Sequence, residues 1–88
     1  MTERTIEIKN KLGLHARPAA LFVQTTHRFQ SQVRVVKDGQ EVDGKSIMGI
    51  LTLAAERGSK LTIIAEGPDE EQLHHKLDDL FRRRFDEE

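Results

Sequence analysis

Residues 32–43 read Gln32-Val33-Arg34-Val35-Val36-Lys37-Asp38-Gly39-Gln40-Glu41-Val42-Asp43, and their reading decides the fold. Two β-forming runs flank Asp38-Gly39, a dipeptide that supplies the positive-φ positions of a two-residue type I′ turn, so residues 32–37 and 40–43 are adjacent antiparallel strands. Upstream, Thr5-Ile6-Glu7-Ile8-Lys9 alternates polar and apolar, the pattern of a strand with one buried face. Asn10 to Leu14 breaks it at Gly13. From His15 to Arg28, Ala19, Phe22 and Val23 fall at i, i+3 and i+4, with Thr26 a turn later, and form the inward stripe of an amphipathic helix. Pro18 lies in its first turn, where a missing N–H is harmless.

Downstream, Ser46 reads as the N-cap of a short helix through Ala55, with Ile47, Ile50 and Leu53 or Ala54 inward, Gly49 weakening it and Gly58 ending it. Lys60 to Glu66 is a fourth strand. Gly67-Pro68 then breaks the chain, and Asp69 caps a long helix to about Phe85, with Gln72 at the capping-box position and Leu73, Leu77, Leu80 and Phe81 buried. The order of elements predicts one α+β domain over residues 1–88. It is an open-faced β-sandwich, a four-stranded antiparallel sheet in order 1-4-2-3 with three helices on one face.

Composition excludes several function classes. The chain has 88 residues, 36% hydrophobic and 33% charged, which is enough apolar matter for one small core and no more. Fourteen basic residues against 15 acidic ones give a formal net charge of -1, so no broad positive field awaits nucleic acid or anionic lipid. Phe22, Phe29, Phe81 and Phe85 all fall on helices or their ends, which leaves no strand aromatic to stack an RNA base. The absence of cysteine rules out disulfides, thiolate nucleophiles and Cys-based metal sites. Apolar stretches such as Pro18 to Val23 are far shorter than the roughly 20 residues of a membrane span, and no apolar signal core follows Met1. A cytoplasmic protein is expected. His74 and His75 are adjacent on a helix and diverge by about 100°, so they cannot share a metal. Arg82-Arg83-Arg84 suits the negative end of a helix dipole, and Asp86-Glu87-Glu88 reads as a solvated tail.

One group of residues points to chemistry. Gly13-Leu14-His15-Ala16-Arg17-Pro18 sets a histidine at a helix start, where unpaired N–H groups and the dipole attract an anion. Arg17 adds a planar cationic fork matched to phosphate oxygens. An unprotonated ring nitrogen can attack a phosphoryl group, and the product would rest against the N–H groups of Ala16 and Arg17. On spacing alone, His15 also reads as a plain N-cap.

The longer string Asn10-Lys11-Leu12-Gly13-Leu14-His15-Ala16-Arg17-Pro18-Ala19-Ala20 resembles the phosphorylation-site signature of the HPr family, the histidine phosphocarriers of the bacterial phosphotransferase system. Gly44-Lys45-Ser46-Ile47-Met48-Gly49 is similar to that family's regulatory-serine region. The resemblance covers essentially the whole chain. It implies that His15 takes a phosphoryl group on Nδ1 from enzyme I and passes it to a histidine of an enzyme IIA domain, with Arg17 orienting the group and neither metal nor cofactor taking part. It implies further that Ser46, otherwise a helix cap, is a target for a serine kinase/phosphorylase of the family. A docking surface of Ala16, Ala20, Gln24, His27, Lys45, Ile47, Met48 and Leu51 is implied around His15; the bland alternative is scattered surface apolars. Leu12 departs from the small polar residue many members carry there. Residues 5–13 and 80–87 resemble the nitrogen-branch, regulatory type of phosphocarrier, whereas Ile47-Met48-Gly49 resembles the sugar-type, kinase-regulated version. A third alternative is a docking module that keeps the fold without the relay.

Overall fold

The computed structural model describes residues 1–86; Glu87 and Glu88 of the expected acidic tail lie outside the described residues. The elements are β1 (Thr2–Glu7), α1 (Ala16–Thr26), β2 (Gln32–Lys37), β3 (Gln40–Asp43), α2 (Ile47–Thr52), β4 (Lys60–Glu66) and α3 (Glu70–Arg82), followed by a tight 3-10 turn, Arg84–Asp86. The sheet order is β1-β4-β2-β3, and every neighbouring pair is antiparallel. Val33 and Val35 of β2 and Leu61, Ile63 and Ala65 of β4 point under the helices and are buried. On the opposite face Glu3, Ile64, Arg34 and Asp43 align by register into a row that is polar except for Ile64. The expected open-faced α+β sandwich is the one observed.

Several boundaries differ, each for a reason outside local sequence. β1 starts at Thr2 rather than Thr5 because β4 is seven residues long and Thr2 still finds Ala65 opposite. Its inward register continues past its end, where Ile8 donates to the Ser59 carbonyl and accepts from the N–H of Gly58. α1 is shorter than residues 15–28, and Val23 is half-buried against the core rather than inside it. Ala54, with φ of 48°, ends α2 well before Gly58. Ile47 was expected inward but is 40% exposed. At about 100° per residue it lies near 60° from Ile50 and further still from Leu53, the two positions that are buried.

The C-terminal helix holds two corrections. Asp69 is the residue before α3, but its carboxylate makes no cap bond. It accepts instead from the backbone N–H groups of Gln30 and Ser31, each at 3.0 Å, and from the Ser31 hydroxyl. Gln72 is exposed and takes no capping-box role; the reach back is made by Glu70, whose carboxylate accepts from Gly67 N–H at 2.9 Å. α3 stops at Arg82, and Arg84, Phe85 and Asp86 all take left-handed φ values of 54°, 56° and 58°. Such backbone costs roughly 1–2 kcal/mol per residue, offset here because it swings Phe85 into the core beside Phe81, with ring centroids 5.0 Å apart. His74 is also fully buried on α3, its Nε2 3.2 Å from the Thr2 carbonyl.

The Asp69 bonds tie the loop after α1 to the start of α3. The Ser31 hydroxyl first, then the backbone N–H of Gln30, hold this carboxyl below its ordinary value of 3.8. A carboxylate depressed by folding contributes stability that is present above the unfolded value and lost as pH falls through the folded one. Urea denaturation from neutrality down to about pH 3 is therefore expected to show the wild-type advantage over Asp69→Asn shrinking below about pH 4. An advantage that stays constant across that range would show that the carboxylate charge is not what matters.

Candidate functional site

The site is built where a clamped turn meets a helix. Gly13 N–H closes the turn onto the Asn10 carbonyl at 3.2 Å, and the buried Asn10 side chain donates back to the Gly13 carbonyl at 2.7 Å. Leu14 drops into the core, and its N–H reaches the Ala55 carbonyl at 2.8 Å. Gly13 has φ of 68°, and a Cβ there would lie 2.3 Å from the Ala55 oxygen. The turn can thus press against residues 55–56 only because position 13 has no side chain. Gly13→Ala is expected to cost about 1–3 kcal/mol in denaturation experiments and to slow any chemistry at the next helix start. An unchanged unfolding midpoint would mean that the turn yields freely.

His15 follows directly as the N-cap of α1, with extended backbone at φ −78° and ψ −171° and no side-chain bond to the first turn. Its carbonyl begins the helical ladder by accepting from Ala19 N–H at 2.9 Å. The N–H groups of Ala16 and Arg17 stand ahead of that ladder, and Pro18 has none. A half-buried imidazole therefore sits at the positive end of an 11-residue helix, next to two backbone donors and the exposed Arg17. This arrangement can receive an anionic group on the ring. The ring is not spent as the side-chain cap that the bland alternative required.

The second implicated residue, Ser46, lies at the other end of α1. Ser46 caps α2, its Oγ accepting from Gly49 N–H at 3.1 Å. Three bonds staple the end of α1 to the approach to Ser46. Thr26 Oγ1 donates to the Gly44 carbonyl at 2.8 Å, the His27 ring pairs with the Lys45 carbonyl at 2.8 Å, and Lys45 Nζ donates to the Phe29 carbonyl at 2.7 Å. His27 and Lys45 are thus brought together but tied down as well as placed at a rim. Ala16 and Gln24 are exposed and Ala20 half-buried along α1; Met48 is 67% exposed beside Ile47, while Leu51 is half-buried and packs on the core. Of the two, Leu51 is the less open member of the expected docking surface. Among the described residues no group of three or more His, Cys, Asp or Glu is placed to hold a metal ion, and no helix is long and apolar enough to cross a membrane. Sequence reasoning missed the clamp formed by Asn10 and Ala55, since only the turn half of it is local.

An open-faced sandwich that presents a histidine at the mouth of α1, with a serine-capped second helix beside it, defines a class of phosphoryl carriers. Residues 2–83 match the family model described as the PTS HPr component phosphorylation site, and the chain belongs to the HPr family, the phosphocarrier proteins of the phosphotransferase system. The phosphocarrier protein HPr of Treponema pallidum is 44% identical over the full length of both chains. The HPr-like protein Crh of Halalkalibacterium halodurans is 53% identical, over 88% of this chain and 92% of the relative. In structure, the crystal form of HPr-C-His from Thermoanaerobacter tengcongensis superimposes with a TM-score of 0.96, at 56% identity and covering 100% of this chain and 99% of the other. The protein is a carrier, not an enzyme.

Proposed function

We propose that His15 carries the phosphoryl group. Its Nδ1 attacks the phosphorus of a phosphohistidine on enzyme I; the new N–P bond forms as the donor's N–P bond breaks. The step runs in reverse sense toward a histidine of an enzyme IIA domain. Arg17 neutralises the transferred oxygens, and the N–H groups of Ala16 and Arg17 hold them. No metal or cofactor is assigned a role. The observation that carries this reading is the placement of His15 as an N-cap whose side chain makes no cap hydrogen bond, ahead of two backbone donors.

Ala16, Ala20, Gln24, His27, Lys45, Ile47, Met48 and Leu51 form the surface that both partners use in turn, and the carrier works as a cytoplasmic monomer so that this surface stays open. Ser46 is the regulatory position. A phosphate there would add roughly 1.5–2 negative charges at a helix start, which the helix tolerates and an acidic partner does not. Sugar import and nitrogen-branch signalling share this chemistry and differ in which enzyme I recognises the surface. A docking module without the relay is the second reading, and the intact His15-Ala16-Arg17 favours the relay over it.

Intact-mass spectrometry separates these roles. After incubation with phosphoenolpyruvate and a sugar-type or nitrogen-type enzyme I, one phosphoryl mass that disappears in acid is expected, as for a phosphohistidine. With ATP and a serine kinase of the family, an acid-stable phosphoryl mass at Ser46 is expected. No acid-labile gain with either enzyme I would overturn the relay.

A further inference from the structure

Among the described residues the large apolar side chains that stand exposed are Met1, Leu12, Ile47 and Met48. Scattered exposed apolars such as Met1 need no explanation, but the other three adjoin the two helix caps. Leu12 lies three residues before the His15 cap, and Ile47 and Met48 immediately follow the Ser46 cap. The two ends of α1 show how they are arranged in space. At its C-terminal end, Thr26 and His27 bond the carbonyls of Gly44 and Lys45, just before α2. At its N-terminal end, Leu14 bonds the carbonyl of Ala55, just after α2. α2 therefore lies alongside α1 in the opposite direction. Met48 sits toward the far end of α1, and the turn carrying Leu12 sits at the His15 end.

Leu12 is 70% exposed, yet its backbone is held on both sides. The Asn10–Gly13 bonds close the turn around it, and Leu14 anchors the chain in the core. An apolar side chain that does not pack on its own protein, on a turn that cannot relax to hide it, is pre-organised for contact with another surface and loses little freedom on binding. We infer that Leu12 is a specificity-determining contact for the phosphoryl donor, entering an apolar hollow on enzyme I on the opposite side of His15 from Met48. The inference rests on the relay reading above. Two anchors flanking the imidazole would fix its distance and angle to the donor phosphorus, which a single anchor at Met48 does not.

The test is the steady-state rate of phosphorylation of this chain by enzyme I and phosphoenolpyruvate, for wild type, Leu12→Ser and Leu12→Met. Losing an apolar contact of this size is expected to raise the KM for Leu12→Ser on the order of tenfold with kcat unchanged. Leu12→Met, which keeps the apolar volume, should stay close to wild type. All three proteins should share one urea midpoint, since Leu12 is outside the core, and the phosphorylated forms should lose phosphate at equal rates. An unchanged KM in Leu12→Ser overturns the inference, and so does a fall in kcat alone or a KM rise matched by Leu12→Met. A wild-type chain that accepts no phosphoryl group overturns the relay first and this inference with it.

Discussion

His15→Ala is expected to fold as the wild type does and to accept no acid-labile phosphoryl group from enzyme I. The two halves of that expectation come from different parts of the structure. The helix start does not depend on the imidazole, because the His15 ring makes no capping bond and the first ladder bond uses its backbone carbonyl. Replacing an N-cap by alanine costs about 0.5–2 kcal/mol when the side chain caps, so the cost here should sit at or below the low end of that range. The chemistry, by contrast, loses its only proposed acceptor. His74 cannot substitute, being fully buried, and His27 pairs its ring with the Lys45 carbonyl. Loss of transfer should be complete within the sensitivity of mass spectrometry. A residual acid-labile gain in His15→Ala would place the phosphoryl group on another histidine, and the exposed His75 and His27 are the ones to replace next.

Arg17→Ala divides the same site differently. It leaves the nucleophile and both backbone donors, so the phosphoryl group should still arrive, only more slowly. That contrast is what separates a residue that forms the bond from one that balances its charge.

How much of this was legible in the sequence depends on how local the cause was. β2, β3 and β4 begin and end where expected because Asp38-Gly39 and Gly67-Pro68 punctuate the chain by their own backbone preferences. His15 and Ser46 were found for the same reason, since an N-cap is a local event. Ile47 was misassigned because α2 is six residues long, too short for its period to say which edge of the stripe is buried. Asp69 looked like a cap, and its carboxylate went instead to Gln30 and Ser31, some 38 positions away in sequence. Phe85 was placed on a helix that ends before it. Nothing local announces three consecutive left-handed residues, and only the core they help to fill compensates for them. The clamp on the turn before His15 likewise needs Ala55, which no pattern around residue 13 reveals.

Phe22→Ala is expected to be the most destabilising single change, costing about 3–5 kcal/mol. Phe22 is fully buried on α1, and its ring meets Phe81 of α3 edge to face, centroids 6.0 Å apart and planes at 80°. Phe81 in turn meets Phe85 at 5.0 Å. The three rings join the helix that carries His15 to the helix that closes the chain, so truncating the first removes transfer free energy and also the support for the left-handed turn at residues 84–86. A domain of this size holds about 5–15 kcal/mol in total, so the variant should sit near its unfolding threshold. Urea denaturation checks the magnitude, and a shift below about 1 kcal/mol would show that Phe22 is not a central part of the core. Phe29→Ala is the internal comparison, because Phe29 is only half-buried and should cost distinctly less. Phosphorylation of the folded fraction of Phe22→Ala separates stability from function. Since His15 is positioned by the turn clamp at Asn10, Gly13 and Ala55 rather than by Phe22, the molecules that remain folded should accept the phosphoryl group at close to the wild-type rate.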